Sequence, residues 1–491
     1  MDDPKAYDDA NNRSWIGRVE SLRGPRYLAI LACLEDAIRT GQLAPHTRLP
    51  PQRRLAEMLG LTVGTAGRAY AIAAERGWIT GETGRGTFVR ENPFGGGDSA
   101  VKPLRGAIAD IGRLRANLPE RTAERQIIDL ALPAAATPDV PLILGRALSD
   151  MVGRERLVLP RKYVTRRAPL RYSQAAARWL GRLGLDVEPH RIVVTANGNH
   201  GLASAILCNV VRGEAVLTAP LTYSGLKVLA FNYGFRLEPM ESDDKGIVPE
   251  ALEAAAARGL GRIVYVQSEL DNPTAQVMPL ERRRAIADIA RRFDLVLIED
   301  CAGLADLSGT APTLAALAPE HTFLVASAAK SISVVVSVGY VVAPPGWGER
   351  FEMQTRDRYF QVAPMGAEIM TYLIDSDAVS DIAAAYRATI ARRLALLRHA
   401  MPQAEFRSDP RSFFVWLNLP SRWRSEDFAS ACALNGVTVA AAGNFTVGMT
   451  MNVPAVRVSL IGAGSDEDFV EGLRRVRTLM EGDVFSAGVI V

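Results

Sequence analysis

The chain has 491 residues, 48% hydrophobic and 23% charged, with a formal net charge of +3. That length supports two or three domains with a large core, and that balance excludes a disordered or fibrous chain. No apolar run reaches the roughly 20 residues of a spanning helix. The acidic Met1-Asp-Asp-Pro-Lys start has no apolar signal core, so a cytoplasmic protein without a membrane segment is expected. The four cysteines (Cys33, Cys208, Cys301, Cys432) lie far apart with no paired spacing. This argues against a metal site or a disulfide framework.

Charge is unevenly spread. Residues 13–92 hold twelve Arg, seven Asp or Glu and no Lys, a basic head of the kind that meets a phosphate backbone. Residues 27–40 carry apolar side chains at helical spacing and stop before Gly41. Pro51 suits the first turn of a second helix with Leu55, Met58 and Leu59 inward. Thr62 can cap a third, with Ala66, Ala69, Tyr70 and Ala73 on one side and Thr65 and Arg68 on the other. Gly64 and Gly67 within that helix cost about 1 kcal/mol each against alanine, a cost that close approach to a nucleic-acid backbone would explain. The run 78–90 then reads as a small hairpin with an arginine at its tip. A purely structural three-helix cap is the competing reading.

The stretches Leu49-Pro-Pro-Gln-Arg-Arg-Leu-Ala-Glu-Met-Leu-Gly60, Thr65-Ala-Gly-Arg-Ala-Tyr70 and Gly84-Arg-Gly-Thr-Phe-Val89 resemble the winged helix-turn-helix of the GntR superfamily. That resemblance implies a DNA-binding domain over 20–91. Arg53, Thr62, Thr65 and Arg68 would face DNA, with Arg85, Gly86 and Thr87 as the wing tip. Many relatives carry arginine where this chain has Val63, so the resemblance implies no base preference.

Residues 92–126 change character. Phe94-Gly-Gly-Gly-Asp98 and an arginine-rich stretch with weak helical periodicity read as a linker. From 127 the chain reads as an α/β body. Short β-branched runs at 192–195, 215–218, 262–266, 295–298, 322–325 and 339–342 alternate with helical patterns, implying a mostly parallel sheet covered on both faces. A smaller C-terminal unit starts at about 404. Ligands in such sheets bind beyond the carboxyl ends of the strands, where the polar candidates fall. These are Thr195-Ala-Asn-Gly-Asn-His-Gly201, Asn272-Pro-Thr274, Asp300 and Lys330.

Together, in this order, they resemble fold-type I enzymes of the aminotransferase family, which use pyridoxal 5'-phosphate. The resemblance implies that Lys330 holds the cofactor as a Schiff base and that Asp300 pairs with its pyridine nitrogen. By the same likeness Asn272 bonds the ring hydroxyl and Tyr223 stacks on the ring. Gly198, Asn199 and His200 meet the phosphate with Ser327, and Arg457 binds an effector carboxylate through its bidentate fork. An exposed arginine on an edge strand is the plain alternative for Arg457.

Several positions depart from that pattern. Ser337 stands where relatives have a phosphate-binding arginine, Gly303 where they have a tyrosine, and Ala275 where they have a glycine. Arg411-Ser412 replaces a glycine pair, and Val334-Val335 replaces Pro-Gly. A charged hydrogen bond contributes roughly 1.5–3 kcal/mol, so losing the arginine weakens cofactor binding by about one to two powers of ten. Efficient transamination is therefore not expected.

The fusion of such a head to such a body resembles the MocR-type regulators, named after a rhizopine-catabolism regulator. It implies a homodimeric DNA-binding regulator whose body senses pyridoxal phosphate or an amine or amino-acid effector and so controls operator binding. Two other readings stay open on the sequence: a working aminotransferase with a DNA-binding head, and a cofactor-free sensor or dimerisation body.

Overall fold

The computed structural model describes residues 10–19, 26–75, 78–82, 86–90, 127–133, 139–153, 168–182, 184–302, 311–358, 364–448 and 453–482. The chain divides into two compact units, Met1–Asn117 and Leu118–Val491.

In the first unit the expected helices form at Arg26–Arg39, Gln52–Met58 and Val63–Glu75. Pro51 supplies the N-cap of the middle one, a position that needs no N–H. The Thr62 hydroxyl accepts from the Thr65 backbone N–H at 3.3 Å to start the third. Ala66, Ala69, Tyr70 and Ala73 are buried together with Leu34 and Leu55. The hairpin Ile79–Glu82 and Gly86–Val89 gains a third strand, Arg48–Leu49. An additional helix at Ala10–Arg18 sends Trp15 into the same core. Its flanking residues lack the longer apolar stripe that would have announced it.

In the second unit a seven-stranded sheet runs in the order Ile192–Thr195, Gly339–Val342, Thr322–Ser327, Val296–Asp300, Ile263–Val266, Ala215–Thr218, Arg236–Pro239. Every pairing is parallel except those of Gly339–Val342, which runs against both neighbours. The edge strand Arg236–Pro239 is half polar and ends in proline. Only an edge tolerates that, and the alternation was too weak to read from the sequence. Helices such as Gly198–Leu207 and Leu280–Phe293 pack on the sheet, so the inner strands are apolar on both faces.

The smaller C-terminal lobe has a four-stranded sheet ordered Phe406–Arg407, Phe414–Asn418, Ala455–Ser459, Ala440–Ala441. Arg457 is thus on an inner strand and is buried, which removes the exposed-edge alternative. The body's first short strand, Ile128–Asp129, pairs with Val437–Thr438 of this lobe. That pairing leads the following residues, to Pro133, across to Lys330.

Candidate functional site

Lys330 lies in the short helix Ala328–Ser331, directly after the fully buried strand Thr322–Ser327. Its Nζ donates to the Pro133 carbonyl at 3.0 Å, and it forms no ion pair with a described carboxylate. Burial and then the nearby Arg457 charge lower its pKa. The amine is therefore more readily neutral than an exposed lysine, which favours nucleophilic chemistry on a carbonyl.

Asp300 ends the next strand, buried, and has no cationic partner among the described residues. Its Oδ1 accepts from the Ala302 N–H at 2.9 Å and its Oδ2 from the Tyr265 hydroxyl at 2.6 Å. Burial pushes the Asp300 carboxyl up, and these hydrogen bonds oppose the shift. A protonated ring nitrogen would compensate such an acid.

Asn272 and Arg457 are joined. Arg457 Nη1 donates to Asn272 Oδ1 at 2.6 Å and Nη2 to the Ala131 carbonyl at 2.8 Å. Its guanidinium carbon sits 4.9 Å from the Phe445 ring centroid and 5.1 Å from that of Phe414. Burial pushes the Arg457 pKa down to about 10, so the group stays charged at neutral pH. Its Nε has no partner among the described residues, an orphaned donor facing the need for an acceptor.

Tyr223 closes the circle. Its hydroxyl donates to Asn199 Oδ1 at 3.0 Å. Its pKa is raised by burial first and by the Asp300 charge, with Arg457 opposing, so both charges lie within its reach.

The turn before the helix Gly198–Leu207 is tight. The Asn197 side chain accepts from the His200 N–H at 2.9 Å, and His200 Nδ1 accepts from the Ala196 N–H at 3.1 Å. His200 is thus committed to holding the turn, leaving the first-turn amides of Gly198 and Asn199 as donors the helix does not use. A Cβ on Gly198 would come within 2.9 Å of the Ser327 side chain. Glycine is required there, and Ser327 lies against the turn.

The departures have local structural accounts. Ser337 is exposed, and its hydroxyl donates to the Ala196 carbonyl at 3.2 Å, beside the same turn. Ala275 has φ +55°, a left-handed conformation that glycine adopts more easily. Arg411 reaches the fully buried Glu269 at 3.2 Å and also pairs with Asp409. Gly303 lies outside the described residues. Tyr265, which holds Asp300, was not singled out from the sequence. A tyrosine inside an apolar strand reads as core until its hydroxyl partner is seen.

In the head, Arg53 and Arg68 are exposed, and Thr62 and Thr65 share a hydrogen bond of 2.9 Å. The Arg68 guanidinium lies 4.2 Å from the Tyr27 ring centroid. Gly86 has φ +118°, and a Cβ there would meet Arg48 at 2.9 Å. Thr87 is half-buried beside it, while Arg85 lies outside the described residues. A Cβ on Gly67 would approach the end of the Gln52 side chain to 3.0 Å. Gly64 faces open space.

A lysine of lowered pKa, a buried acid without a cation, a free-amide turn and a tyrosine fit pyridoxal phosphate as a donor set. Among the described residues no cluster has the makings of a metal site, and no helix is long and apolar enough to cross a membrane.

Residues 161–476 match the family model "Aminotransferase class I and II", and residues 26–89 match "Bacterial regulatory proteins, gntR family". The chain is 28% identical over 470 residues to the HTH-type transcriptional regulator YdeF of Bacillus subtilis, covering 95% of this chain and 97% of that one. It is 26% identical to the HTH-type pyridoxine biosynthesis transcriptional regulator PdxR of Corynebacterium glutamicum, over 62% of this chain and 63% of that one. Among solved structures, an archaeal alanine:glyoxylate aminotransferase superposes with a TM-score of 0.66 at 22% identity, over 76% of this chain and 95% of that one. Aspartate aminotransferase from Thermus thermophilus superposes with a TM-score of 0.65 at 19% identity, over 77% of this chain and 97% of that one. These likenesses establish the fold-type I architecture of the body. Carrying a match to the gntR family of bacterial regulatory proteins over residues 26–89 ahead of that body, the chain belongs to the aminotransferase class I and II family.

Proposed function

We propose that the protein is a cytoplasmic, DNA-binding transcriptional regulator whose aminotransferase-like body takes pyridoxal phosphate and an amine effector and thereby controls operator binding. The observation that carries this reading is the convergence of Lys330, Asp300, Asn272, Tyr223 and Arg457 on one another, in a body preceded by a GntR-type head. When bound, pyridoxal phosphate supplies an aldehyde that captures amines and an electron-withdrawing ring.

The chain's own residues have separable tasks. Lys330 offers the amine, held toward the site by the Pro133 carbonyl. Asp300 holds a proton at the ring nitrogen, with Tyr265 and the Ala302 amide fixing its two oxygens. Gly198 and Asn199 amides, with Ser327, cradle the phosphate. Asn272 positions Arg457, whose charge selects effectors with a carboxylate.

The exposed Ser337 in place of an arginine supports a sensor over an efficient transaminase, because fixed geometry around the ring is what turnover requires. The resemblance to MocR-type regulators is what supports a homodimer. An effector acts by binding one arrangement of the two heads more tightly than another.

The test is the visible spectrum of purified protein with added pyridoxal phosphate, followed by borohydride reduction and peptide mapping. The expected result is an absorbance band converted to a stable adduct on the Lys330 peptide, absent in Lys330→Ala. Affinity for selected genomic fragments should change when an amine is added. No band and no adduct would overturn the cofactor half. Sustained formation of a keto or aldehyde product would make the protein an enzyme.

A further inference from the structure

A cavity of about 740 Å³ opens between the two lobes of the body, large enough for a small organic ligand. Its walls come from the ends of the strands Ala215–Thr218 and Ile263–Val266, the hairpin Ser242–Asp243 and Gly246–Ile247, and the C-terminal strands Phe406–Arg407 and Phe414–Asn418. Lys330, Asp300, Asn272 and Arg457 do not line it. Tyr265 does, and it is the side chain shared with the site described above.

The charges at this cavity sort by depth. Asp243, Asp244, Lys245, Glu405 and Arg407 are exposed. Asp243 is already paired with Arg282 at 2.8 Å; Asp244, Lys245 and Glu405 lie in screened solvent, and Arg407 acts on Asp271. Deeper in, the ionisable carboxylate is Asp271, half-buried, with Oδ2 accepting from the Thr274 hydroxyl at 2.7 Å. Tyr265 and Trp416, both buried, and the half-buried Phe406 line the cavity with it. A carboxylate among aromatic rings is a recognition set for an organic cation, which gains from the charge and from the ring quadrupoles together.

We propose that this cavity binds a small organic cation, its ammonium head taken by Asp271 and the rings of Tyr265, Phe406 and Trp416. Burial pushes the Asp271 carboxyl up to about 6; the Thr274 hydrogen bonds and Arg407 oppose this, and the charge of Asp300 adds to it. Tyr265 also faces Asp271 and stays neutral through this range. The carboxylate forms as pH rises through about 6, and cation binding strengthens in that direction.

The experiment is calorimetric titration of the full-length protein with choline, a quaternary ammonium that cannot form a Schiff base. Saturable one-to-one binding is expected at about pH 7.5. It should weaken about tenfold at about pH 5, where roughly a tenth of Asp271 is charged. Asp271→Asn and Phe406→Ala should weaken it, Lys330→Ala should leave it unchanged, and the uncharged isostere neohexanol should not bind. Circular dichroism on each variant separates lost binding from lost fold. Absence of saturable binding, equal binding of neohexanol, or insensitivity to both pH and Asp271→Asn overturns the proposal. Failure of the borohydride test leaves this result untouched, so the two readings fail separately.

Discussion

The Tyr265 hydroxyl donates to Asp300 Oδ2 at 2.6 Å, from the strand adjacent to the one that Asp300 ends. Both groups are buried, and the Tyr265 phenol is itself pushed well up by burial and by the Asp300 charge, so it remains a donor at any physiological pH. The carboxylate is aimed by a neighbouring strand as well as by its own turn.

Tyr265→Phe removes one of the two hydrogen bonds on Asp300 and leaves a buried oxygen unmatched. We expect a stability loss of about 1–3 kcal/mol and weaker pyridoxal phosphate binding, because the carboxyl loses a hydrogen bond that opposes the upward push of burial and helps to aim it. Denaturant unfolding and a spectroscopic titration read the two effects. Unchanged cofactor affinity would mean that Asp300 is aimed by the Ala302 amide alone.

Ser337→Arg tests the most visible departure from the family pattern. The side chain starts beside the Ala196 carbonyl, next to the free-amide turn, so an arginine there can reach a phosphate at that turn. One charged hydrogen bond of roughly 1.5–3 kcal/mol predicts an affinity gain of about ten- to a hundredfold for pyridoxal phosphate. Pyridoxal without its phosphate should gain nothing. A gain for both compounds would argue against a phosphate contact.

Arg68→Ala in the recognition helix should weaken operator binding while leaving the melting temperature nearly unchanged, since the side chain is exposed and rests on Tyr27. If Arg68 meets a phosphate, the slope of log affinity against log salt falls by about one. If it reads a base, the loss is about 1–3 kcal/mol and depends on sequence. Tyr27→Phe keeps the ring and should be silent. Operator affinity equal to wild type in Arg68→Ala would misplace the recognition face.

Arg283 is fully buried, donating to the Met278, Ser268 and Ala311 carbonyls and pairing with the fully buried Glu269. Removing it leaves that carboxylate with Arg411 alone. Arg283→Ala should cost about 3–5 kcal/mol, visible as a large shift in the denaturant midpoint. Arg411→Ala, at a partly exposed position, should cost less.

Much of this was legible in the sequence for identifiable reasons. The recognition helix carries a four-residue apolar face and a capping threonine, and the inner strands are continuous β-branched runs. Asp300 ends a strand, and Lys330 and Asn272 follow strands, where side chains reach the sheet's ligand edge. Tyr265, Arg283 and Glu269 were not legible, because their roles depend on partners 14 to 35 residues away in the chain. Arg283 in particular sits in a helix rich in arginines, most of which are exposed. The edge strand Arg236–Pro239 and the helix Ala10–Arg18 lacked periodicity strong enough to separate them from loop.

That first helix bears on how the head is to be handled alone. The matched GntR segment begins at residue 26, yet Trp15 is fully enclosed in the head's core with Ile16 and Val19. Its indole donates to Asn12, whose amide in turn donates to the Arg48 carbonyl at the strand beside the wing. A fragment trimmed to the recognised family limits would open a tryptophan-sized hole in the head's core. Weak DNA binding by such a fragment would then report a damaged core and say nothing about the body's influence.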